Sequence, residues 1–483
     1  MKTVAHPAAA AALTTSQMAA WLSKSVAPGC NFNCAEAVDI FGEADLVLLL
    51  TAMQTVADET ESARVRLLDT GYQPRQIIER YFSGELPYLD FSREREPEAA
   101  AEAWMHADFS RPIDPLRERP WLSALLRTTR NRYIWYHRSH RILLDGFDGG
   151  LMAHRLAAVY SALVKKDAVP ETLPPPSIAQ LLHEESAYLV SKSYAQDKQY
   201  WMERLTDAPA PLTLAALQPA AGAGMLRQTV HFPAAGVNAL QDLARKLEIS
   251  LPQLLTAVTS AFLYRTTGVT DMVVGVATKA ARVLPLRLAL SAELSIEQLM
   301  RDVGRQMRKI LQHQSYPCET LRDELHGLPA ASCLFSTVIK VESYHSNLQF
   351  GSHPARLRKL FAGGAEDLTI AIHERGAGQD LQIDFDANPA LHSAQMLAEH
   401  QRRLLTFLAA ATHSPAQKIG QLELSDATGR KHLPANRNDA EPAAADSNLA
   451  RLIEEQLARN EQAATLHFDG EPLPRRSAEN TPN

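Results

Sequence analysis

The sequence is poor in cysteine and in aromatic residues and carries no large excess of charge of one sign. Aromatic residues make up 6% of the 483 positions, and the four cysteines form no zinc-like cluster; they are Cys30, Cys34, Cys318 and Cys333. Lys and Arg number 49 and Asp and Glu 55, which gives a net charge of −6. Nucleic-acid-binding proteins concentrate cations on one surface, so this balance argues against that class. The sequence also offers no cluster of candidate metal ligands.

Long apolar runs are absent as well. One long stretch without a charged residue, 208–226, contains three prolines and two glycines, which exclude a membrane-spanning helix there. The alanine run near the N-terminus breaks into polar residues at Thr14, so it lacks the apolar centre of a signal peptide. The sequence therefore predicts a cytoplasmic protein with reduced, mostly buried thiols and no membrane or nucleic-acid partner.

The composition is that of a globular protein, with 46% hydrophobic and 22% charged residues. A proline-rich segment, Pro170–Pro176, cannot continue a helix or a central strand, so it predicts a boundary between residues 1–170 and 177–424. Residues 425–447 are polar and rich in Ala and Pro, as linkers are. Residues 448–483 begin with helical spacing but lack an apolar pattern toward their end, which predicts a disordered tail.

Helix-start signals recur through residues 177–424. Ser177 precedes Gln180 by three positions, which predicts a helix running to about Leu205. The same spacing opens two further predicted helices, at Ser250 and at Ser295, and Gly268 is placed to end the first of these. Another helix is predicted over His392–Ala411, and alternating or β-branched patterns predict strands at Asp271–Ala277, Leu334–Val341, Leu368–Ile372 and Leu381–Phe385, the last three as neighbours. The chain is thus expected to be mixed α/β.

One segment combines an aromatic-rich strand with polar residues at its end. Residues 132–141 read RYIWYHRSHR, with Tyr133, Trp135 and His137 on one face and Tyr136 and His140 on the other. The aromatic residues and His137 are interpreted as structural. The chain must turn at the following Asp-Gly pair, and a helix with an apolar stripe is expected after the next two glycines. Two regular elements therefore hold the polar residues between them.

This segment, RSHRILLDGFDGGLMAHRLAAVYSAL, resembles the core motif of nonribosomal peptide synthetase condensation domains, His-His-x-x-x-Asp-Gly. The sequence is similar in particular to catechol-siderophore synthetases. The resemblance extends over nearly the whole chain through LTTSQMAAWLSKSVAPGCNFNCAEAV, ESARVRL, HQSYPCETL, CLFSTVIK and DLTIAI. NLARLIEEQLARNEQAATLHFDGEPL, from Asn448, resembles the start of an adenylation domain.

The resemblance implies two chloramphenicol-acetyltransferase-like lobes in a V-shaped pseudo-dimer, with residues 1–170 as the N-terminal lobe and 177–424 as the C-terminal lobe. It implies a tunnel in which donor and acceptor carrier proteins deliver substrates on phosphopantetheine arms, with no cofactor bound directly. It also implies an adenylation domain or other synthetase modules as partners. Within the motif, the second histidine contacts the attacking amine and the aspartate holds the motif loop.

The sequence departs from this motif at its second histidine. Aligning Asp145 and Gly146 with the motif places His140 at the first histidine and Arg141 at the second. A guanidinium stays protonated and has no lone pair, so Arg141 cannot act as a general base, although it could bind an oxyanion or pair with Asp145. His140 cannot simply replace it, because neighbouring strand residues point to opposite faces.

A second departure is a shortened segment between Lys279 and Val283, a region that helps frame the tunnel in the family. Three functions stay open. The first is a condensation domain that forms an amide bond, impaired or not by Arg141. The second is a docking or recruitment module that forms no bond, since condensation-like domains that recruit oxygenases also carry Arg at this position. The third, ranked last, is an acyltransferase for a free acyl thioester.

Overall fold

The computed structural model describes residues 10–26, 31–143, 149–171, 176–215, 225–278, 282–325, 334–343, 348–361, 367–376, 378–424, 464–468 and 471–474. The chain divides into two units, Met1–Leu424 and Ser425–Asn483. The predicted linker 425–447, the predicted helix Asn448–Arg459 and most of Pro170–Pro176 lie outside the described residues.

The first unit alternates helices and strands, as expected of a mixed α/β chain. Its helices are α1 (Thr15–Val26), α2 (Leu46–Glu59), α3 (Pro97–Ser110), α4 (Gly149–Lys165), α5 (Ile178–Leu189), α6 (Lys192–Leu205), α7 (Ala234–Lys246), α8 (Leu251–Thr267), α9 (Ile296–Gln312), α10 (Cys318–Glu324) and α11 (Ala394–His413). Its strands are β1 (Asn33–Phe41), β2 (Val65–Leu68), β3 (Arg75–Ile78), β4 (Tyr88–Asp90), β5 (Trp121–Thr129), β6 (Arg132–His140), β7 (Leu226–Phe232), β8 (Asp271–Ala277), β9 (Val283–Ala289), β10 (Thr337–Ser343), β11 (Leu348–Phe350), β12 (His353–Phe361), β13 (Leu368–Glu374) and β14 (Leu381–Ala387).

Two sheets organise this unit. In the part that the structure describes, the first sheet has the order β11-β12-β1-β6-β5-β4 and the second β7-β14-β13-β10-β8-β9, while β2 and β3 form a small hairpin. Strands β11 and β12 join the first sheet although they lie in 177–424, so the division at the proline-rich segment does not coincide with sheet membership. Pairing between β1 and β12 joins residues about 320 positions apart, and no local sequence pattern predicts such a contact.

Each sheet packs its own apolar core. The faces of β6 contribute to two different clusters, because Tyr133 and Trp135 pack with α2 and α4 while Ile134 and Tyr136 pack with α3. This confirms the predicted alternation along β6. The second sheet packs mainly on the almost fully buried helix α8. Residues at the ends of these strands are therefore held by well-packed elements.

Most of the predicted helix starts are confirmed. The Ser250 and Ser295 side chains accept the N–H groups of Gln253 and Gln298, whose amides reach back in two capping boxes, and Gly268 ends α8 at φ 74°. Ser177 caps α5 as expected, but the helix does not run unbroken to Leu205. Ser191 caps a second helix, α6, at this point, and its hydroxyl accepts the N–H of Tyr194.

The strand predictions for the second half are confirmed too. Strand β13 lies between β10, which runs parallel to it, and β14, which runs antiparallel. Strands β8 and β9, on either side of the segment predicted to be shortened, pair antiparallel, and Thr278 N–H donates to the Arg282 carbonyl at 2.7 Å. Residues 279–281 lie outside the described residues.

The second unit contains a two-stranded antiparallel hairpin of β15 (Ala464–Phe468) and β16 (Glu471–Pro474). Part of this hairpin lies in the tail that the sequence predicts as disordered. The Asp-Gly pair between them is a strong hairpin signal, and the compositional interpretation of the tail gave it no weight. Within the described residues, no helix is both long and apolar enough to cross a bilayer.

Candidate active site

His140, the predicted first motif histidine, is buried at the end of β6. Its N–H donates to the Pro120 carbonyl at 2.7 Å, and its Nδ1 accepts the N–H of Ile142 at 3.1 Å. The ring also lies 5.9 Å from the Phe32 ring, measured between centroids. These contacts turn the chain out of the strand, and the predicted site role of His140 stays a prediction.

Arg141, the predicted second motif position, begins a short 3-10 turn and is exposed. Its backbone N–H donates to the Phe32 carbonyl at 2.8 Å, which extends the pairing of β6 with β1 by one residue. Its guanidinium lies near the Cys34 thiol, where its positive charge acts to lower the pKa of that thiol. Burial outweighs this effect and raises the Cys34 pKa above its ordinary value. The thiol therefore stays protonated at neutral pH and is no nucleophile.

Asp145 and Gly146 lie outside the described residues, so the predicted roles of these two motif positions stay predictions. The described chain resumes at Gly149, where α4 begins as expected. A Cβ atom at Gly149 would lie 1.8 Å from Glu36 Oε2 and 2.9 Å from His137 Cε1. The helix after the motif thus begins directly against these two side chains, and only glycine leaves room for them.

Glu36 and His137 form a pair on adjacent strands of the first sheet. They are register partners on β1 and β6, and His137 Nε2 lies 3.4 Å from Glu36 Oε2. Lys359, the register partner of Glu36 on β12, places Nζ 3.7 Å from Glu36 Oε1. His137 is fully buried against Trp135, whereas 14% of the Glu36 side chain remains exposed.

A run of ion pairs continues from this pair into the second sheet. Lys359 Nζ lies 2.7 Å from Oε2 of Glu342, a β10 residue that also pairs with Lys340 at 3.0 Å. His373 Nδ1 lies 3.5 Å from the same Glu342 oxygen, and His373 Nε2 lies 3.1 Å from Asp384 Oδ2. We call Glu36, His137, Lys340, Glu342, Lys359, His373 and Asp384 the interlobe cluster. It joins side chains of both sheets beside the motif.

The cations of the interlobe cluster keep its carboxylates charged. Burial alone would raise the pKa of Glu36, but His137 and Lys359 outweigh it and hold the pKa below its ordinary value. The pKa of Glu342 is lowered in the same way, against its burial, by His373, Lys340 and Lys359. Glu36 is therefore a carboxylate at neutral pH, on the strand that lies beside the motif strand.

The sequence analysis did not single out Glu36. The available signal was the alternation of β1, where Cys34, Glu36, Val38 and Ile40 share a face that becomes apolar core toward the end of the strand. An acidic residue in such a row indicates either a paired charge or a functional group. His137, interpreted as structural, is buried as expected, but it also orients this carboxylate.

Among the described residues, Arg141 is an exposed cation at the end of β6, and Glu36 is a mostly buried anion on the paired strand β1. Such a pair suits a reaction in which opposite charges develop on neighbouring atoms. Among the described residues, no three His, Cys, Asp or Glu side chains come together as metal ligands. The chemistry available here is therefore orientation and electrostatics.

Comparison with protein families decides what kind of domain this is. The family model for the condensation domain matches residues 8–280 and 281–433. The chain belongs to the condensation-domain family. Its mixed α/β fold with two sheets is that of solved condensation domains.

The starter condensation domain of rhizomide synthetase RzmA, as a mutant in complex with C8-CoA and Leu-SNAC, superposes on this condensation domain with a TM-score of 0.80. The two are 32% identical, over 86% of this chain and 98% of that one. The first condensation domain of the calcium-dependent antibiotic synthetase, in complex with a substrate analogue, gives a TM-score of 0.77 at 25% identity, over 87% of this chain and 100% of that one.

Similar full-length proteins are peptide synthetases. A dimodular nonribosomal peptide synthase of Bacillus subtilis is 31% identical over 95% of this chain and 20% of its own length. The enterobactin synthase component F of Escherichia coli (strain K12) is 24% identical over 94% of this chain and 36% of its own length. The chain thus spans about a fifth to a third of the length of these relatives.

Proposed function

We propose that this condensation domain forms an amide bond between an acyl donor and an aminoacyl acceptor, each tethered to a carrier protein by a phosphopantetheine arm. The observation that carries the proposal is the match of the condensation-domain model to nearly the whole chain. Arg141 at the predicted second motif position, and a charged cluster to which both sheets contribute, agree with it. The acceptor amine attacks the donor thioester carbonyl, the C–N bond forms, the C–S bond breaks, and the amine proton passes to the departing thiolate.

Holding both arms in one site supplies most of the acceleration, because it converts an encounter of two reactants into a step within one complex. Arg141 cannot accept the amine proton, but its guanidinium can stabilise the oxyanion that develops on the thioester carbonyl. Loss of a motif imidazole therefore removes one contribution to the rate and leaves orientation and charge stabilisation in place.

The enterobactin synthase relatives and the catechol-siderophore resemblance support a role in siderophore synthesis, with adenylation and carrier domains as partners. The starter domain of RzmA, whose complex holds an acyl-CoA, supports an acyl group as donor. We infer a cytoplasmic location from this role, and the low cysteine content agrees with it.

A second candidate function is a docking module that binds carrier proteins without forming a bond. One feature of the sequence favours it: Arg141, at the predicted second motif position, offers no lone pair and cannot accept a proton.

Mass spectrometry after mixing the protein with acyl-loaded and aminoacyl-loaded carrier proteins tests the proposal. Condensed product from the native protein supports amide formation. No product from the native protein, but product from Arg141→His, identifies a disabled catalyst. No product from either protein, with carrier binding retained in calorimetry, supports the docking module. No carrier binding contradicts both functions.

A further inference from the structure

A cleft of about 540 Å³ opens at the edge of the first sheet. It lies beside the first residues of β5, before the point where β4 pairs with this strand. Four of the residues that line it are arginines, which come from β2, from the segment between α3 and β5 and from β6: Arg66, Arg111, Arg119 and Arg138. Their side chains range from about half exposed in Arg66 and Arg111 to 5% exposed in Arg138. The cleft thus contains both a buried guanidinium and accessible ones.

Arg138 is buried, yet little of its capacity to donate hydrogen bonds is used. Its side chain lies on the α3 side of β6, on the opposite face from His137. Its Nε lies 2.9 Å from Asp108 Oδ2, an oxygen that also accepts the Tyr136 hydroxyl at 2.7 Å. Nε and Nη1 are fully buried without a well-aligned hydrogen bond to described residues. Nη2 also makes no hydrogen bond with described residues but is less buried, so it is the nitrogen through which Arg138 reaches the cleft.

Two other residues of the cleft carry donors of the same kind. Trp121 Nε1 and Arg119 Nη1 are buried and have no acceptor among the described residues. Arg119 Nη2, by contrast, donates to both Glu79 oxygens at 3.0 Å and to Ser83 Oγ at 2.6 Å. Among the described atoms that line the cleft, every buried polar side-chain atom left without a partner is an N–H donor. Unmet buried donors are costly, so the cleft favours a ligand that brings acceptor oxygens.

The acidic residues of the cleft are engaged or lie at its rim. Both Glu118 oxygens accept Arg111 nitrogens, at 2.9 and 2.7 Å, and Asp108 is shared by Tyr136 and Arg138. The third acidic residue, Glu85, is exposed. The lining therefore favours an anion over a cation.

The donors are held in place by ring contacts. The Phe82 ring lies edge-on to the Trp121 ring at a centroid distance of 5.1 Å, and Arg119 Cζ lies 5.3 Å from the Phe82 centroid. The Phe82 N–H donates to Asp58 Oδ1 at 2.7 Å. A Cβ at Gly84 would lie 2.4 Å from Phe82 Cζ and 3.0 Å from Arg119 Cδ, so the loop packs closely on these side chains. A site ordered in this way requires little rearrangement on binding.

We propose that this cleft is a binding site for a small phosphate monoester. The inference does not depend on amide formation. A phosphate group offers several acceptor oxygens and two negative charges, which suits guanidinium and indole N–H donors that line one space. A carboxylate offers two oxygens and one charge, so it satisfies fewer of these donors. The volume of the cleft is that of a small-molecule site.

Calorimetric titration measures this binding without an assay of activity. The probe is glycerol 3-phosphate at pH 7.5, where a phosphate monoester carries nearly two charges because its second pKa is about 6. Glycerate, which carries a carboxylate in place of the phosphate, and glycerol, which carries neither, are the matched ligands. All titrations are made at one ionic strength, because salt screens exposed charges.

Two variants of the cleft should each weaken binding of glycerol 3-phosphate at least about tenfold. Arg138→Lys keeps the charge beside Asp108 but loses the fork of N–H donors, and Arg119→Gln removes a guanidinium that is 22% exposed. The control, Arg117→Gln, removes an 86% exposed arginine that pairs with Asp114, and it should change the affinity less than about twofold. Circular dichroism verifies that each variant folds. If Arg138→Lys does not fold, Arg119→Gln, which lies nearer the surface, decides the test.

Binding of glycerol 3-phosphate should be at least about tenfold tighter than binding of glycerate, with a dissociation constant of about 1 mM or lower, and glycerol should not bind. Affinity that falls in the cleft variants but not in Arg117→Gln supports the phosphate site. The inference is overturned if glycerol 3-phosphate does not bind the native protein, if glycerate binds as tightly, or if Arg119→Gln and Arg117→Gln have equal effects.

Discussion

Each sheet of this condensation domain holds one buried imidazole next to a carboxylate on the neighbouring strand. In the second sheet, His373 lies 3.1 Å from Asp384, and Asp384 is fully buried and also accepts hydrogen bonds from Thr229 and Gln382. In the first sheet, His137 lies 3.4 Å from Glu36, whose Oε2 accepts no hydrogen bond within the described residues. The two pairs resemble each other in composition but differ in how completely the carboxylate is satisfied.

This difference separates a structural pair from a functional one. A buried charge whose hydrogen bonds are all made contributes to folding and has no capacity left for a ligand. Glu36 is bonded less completely than Asp384: His137 and Lys359 flank it, its Oε2 is buried against the start of α4, and 14% of the side chain remains exposed. The comparison predicts that changes at Asp384 act on stability and changes at Glu36 act on substrate binding and rate.

The largest expected effect is on the stability of the second sheet. Asp384→Asn removes the fully buried one of the two carboxylates that flank His373, so it should lower the free energy of unfolding by about 3 to 5 kcal/mol. Glu36→Gln should lower it by about 1 kcal/mol or less, because Lys359 retains Glu342 as a partner. Urea denaturation followed by circular dichroism measures both. A larger loss for Glu36→Gln than for Asp384→Asn would contradict the comparison.

The pH dependence of stability provides the next test within the second half of the chain. Burial, assisted by nearby Arg403 and His392, lowers the pKa of His400 to about 4. Burial opposes the charged form of His373 as well, but Asp384 and Glu342 outweigh it and raise its pKa. The two histidines should therefore affect stability with opposite sign.

The folded state favours neutral His400, so its contribution is complete above the unfolded pKa of about 6.5 and is lost as the pH falls toward 4, by about 3 kcal/mol. The folded state favours charged His373, so its contribution is complete below about 6.5 and is lost as the pH rises through its folded pKa. The test measures the free energy of unfolding of the native protein, His400→Gln and His373→Gln between pH 4 and pH 9. The difference between the native protein and each variant gives the contribution of that histidine, and its slope against pH is compared with the expected sign. Slopes of the same sign would refute the assignment.

A third test adds one methyl group at the start of α4. Gly149→Ala would place Cβ 1.8 Å from Glu36 Oε2, so it should displace the carboxylate, lower stability by about 1 to 3 kcal/mol and reduce condensation by more than tenfold. Gly304→Ala, in the interior of α9, places Cβ 2.9 Å from an Ile249 methyl group and 3.6 Å from Gln253 Oε1 and serves as the helical control. Its stability should also fall, but its condensation rate should not change. An unaffected rate in Gly149→Ala would remove Glu36 from the site.

The sequence predicted local structure well and long-range structure poorly. Capping residues such as Ser250 and the alternation of β10, β13 and β14 are local signals, and the structure confirms them. The pairing of β12 with β1 is not a local property, so the sequence did not predict that β12 belongs to the first sheet. Arg141 was found because a known motif marks its position.

Glu36 was missed for a related reason. Its significance depends on three neighbours, His137, Gly149 and Lys359, that the fold brings from distant parts of the chain. In the sequence it is one of many acidic residues, and nothing next to it distinguishes a held carboxylate from a solvated one. A site that depends on contacts between sheets becomes visible only when the register of both strands is known.

The smallest expected effect concerns the pH profile of Arg141→His. A guanidinium does not titrate below pH 9, whereas an imidazole has an ordinary pKa of about 6.5, so only the variant gains a group that loses basicity in mild acid. The acceptor amine titrates in both proteins, and the ratio of their condensation rates cancels that effect. This ratio should fall roughly tenfold between pH 7.5 and pH 5.5, when product is quantified by mass spectrometry.

The control is Arg141→Gln, which introduces no titrating group. Its ratio should stay flat between pH 7.5 and pH 5.5, because Glu36 remains charged over that range. A flat ratio for Arg141→His would mean that this position does not meet the amine.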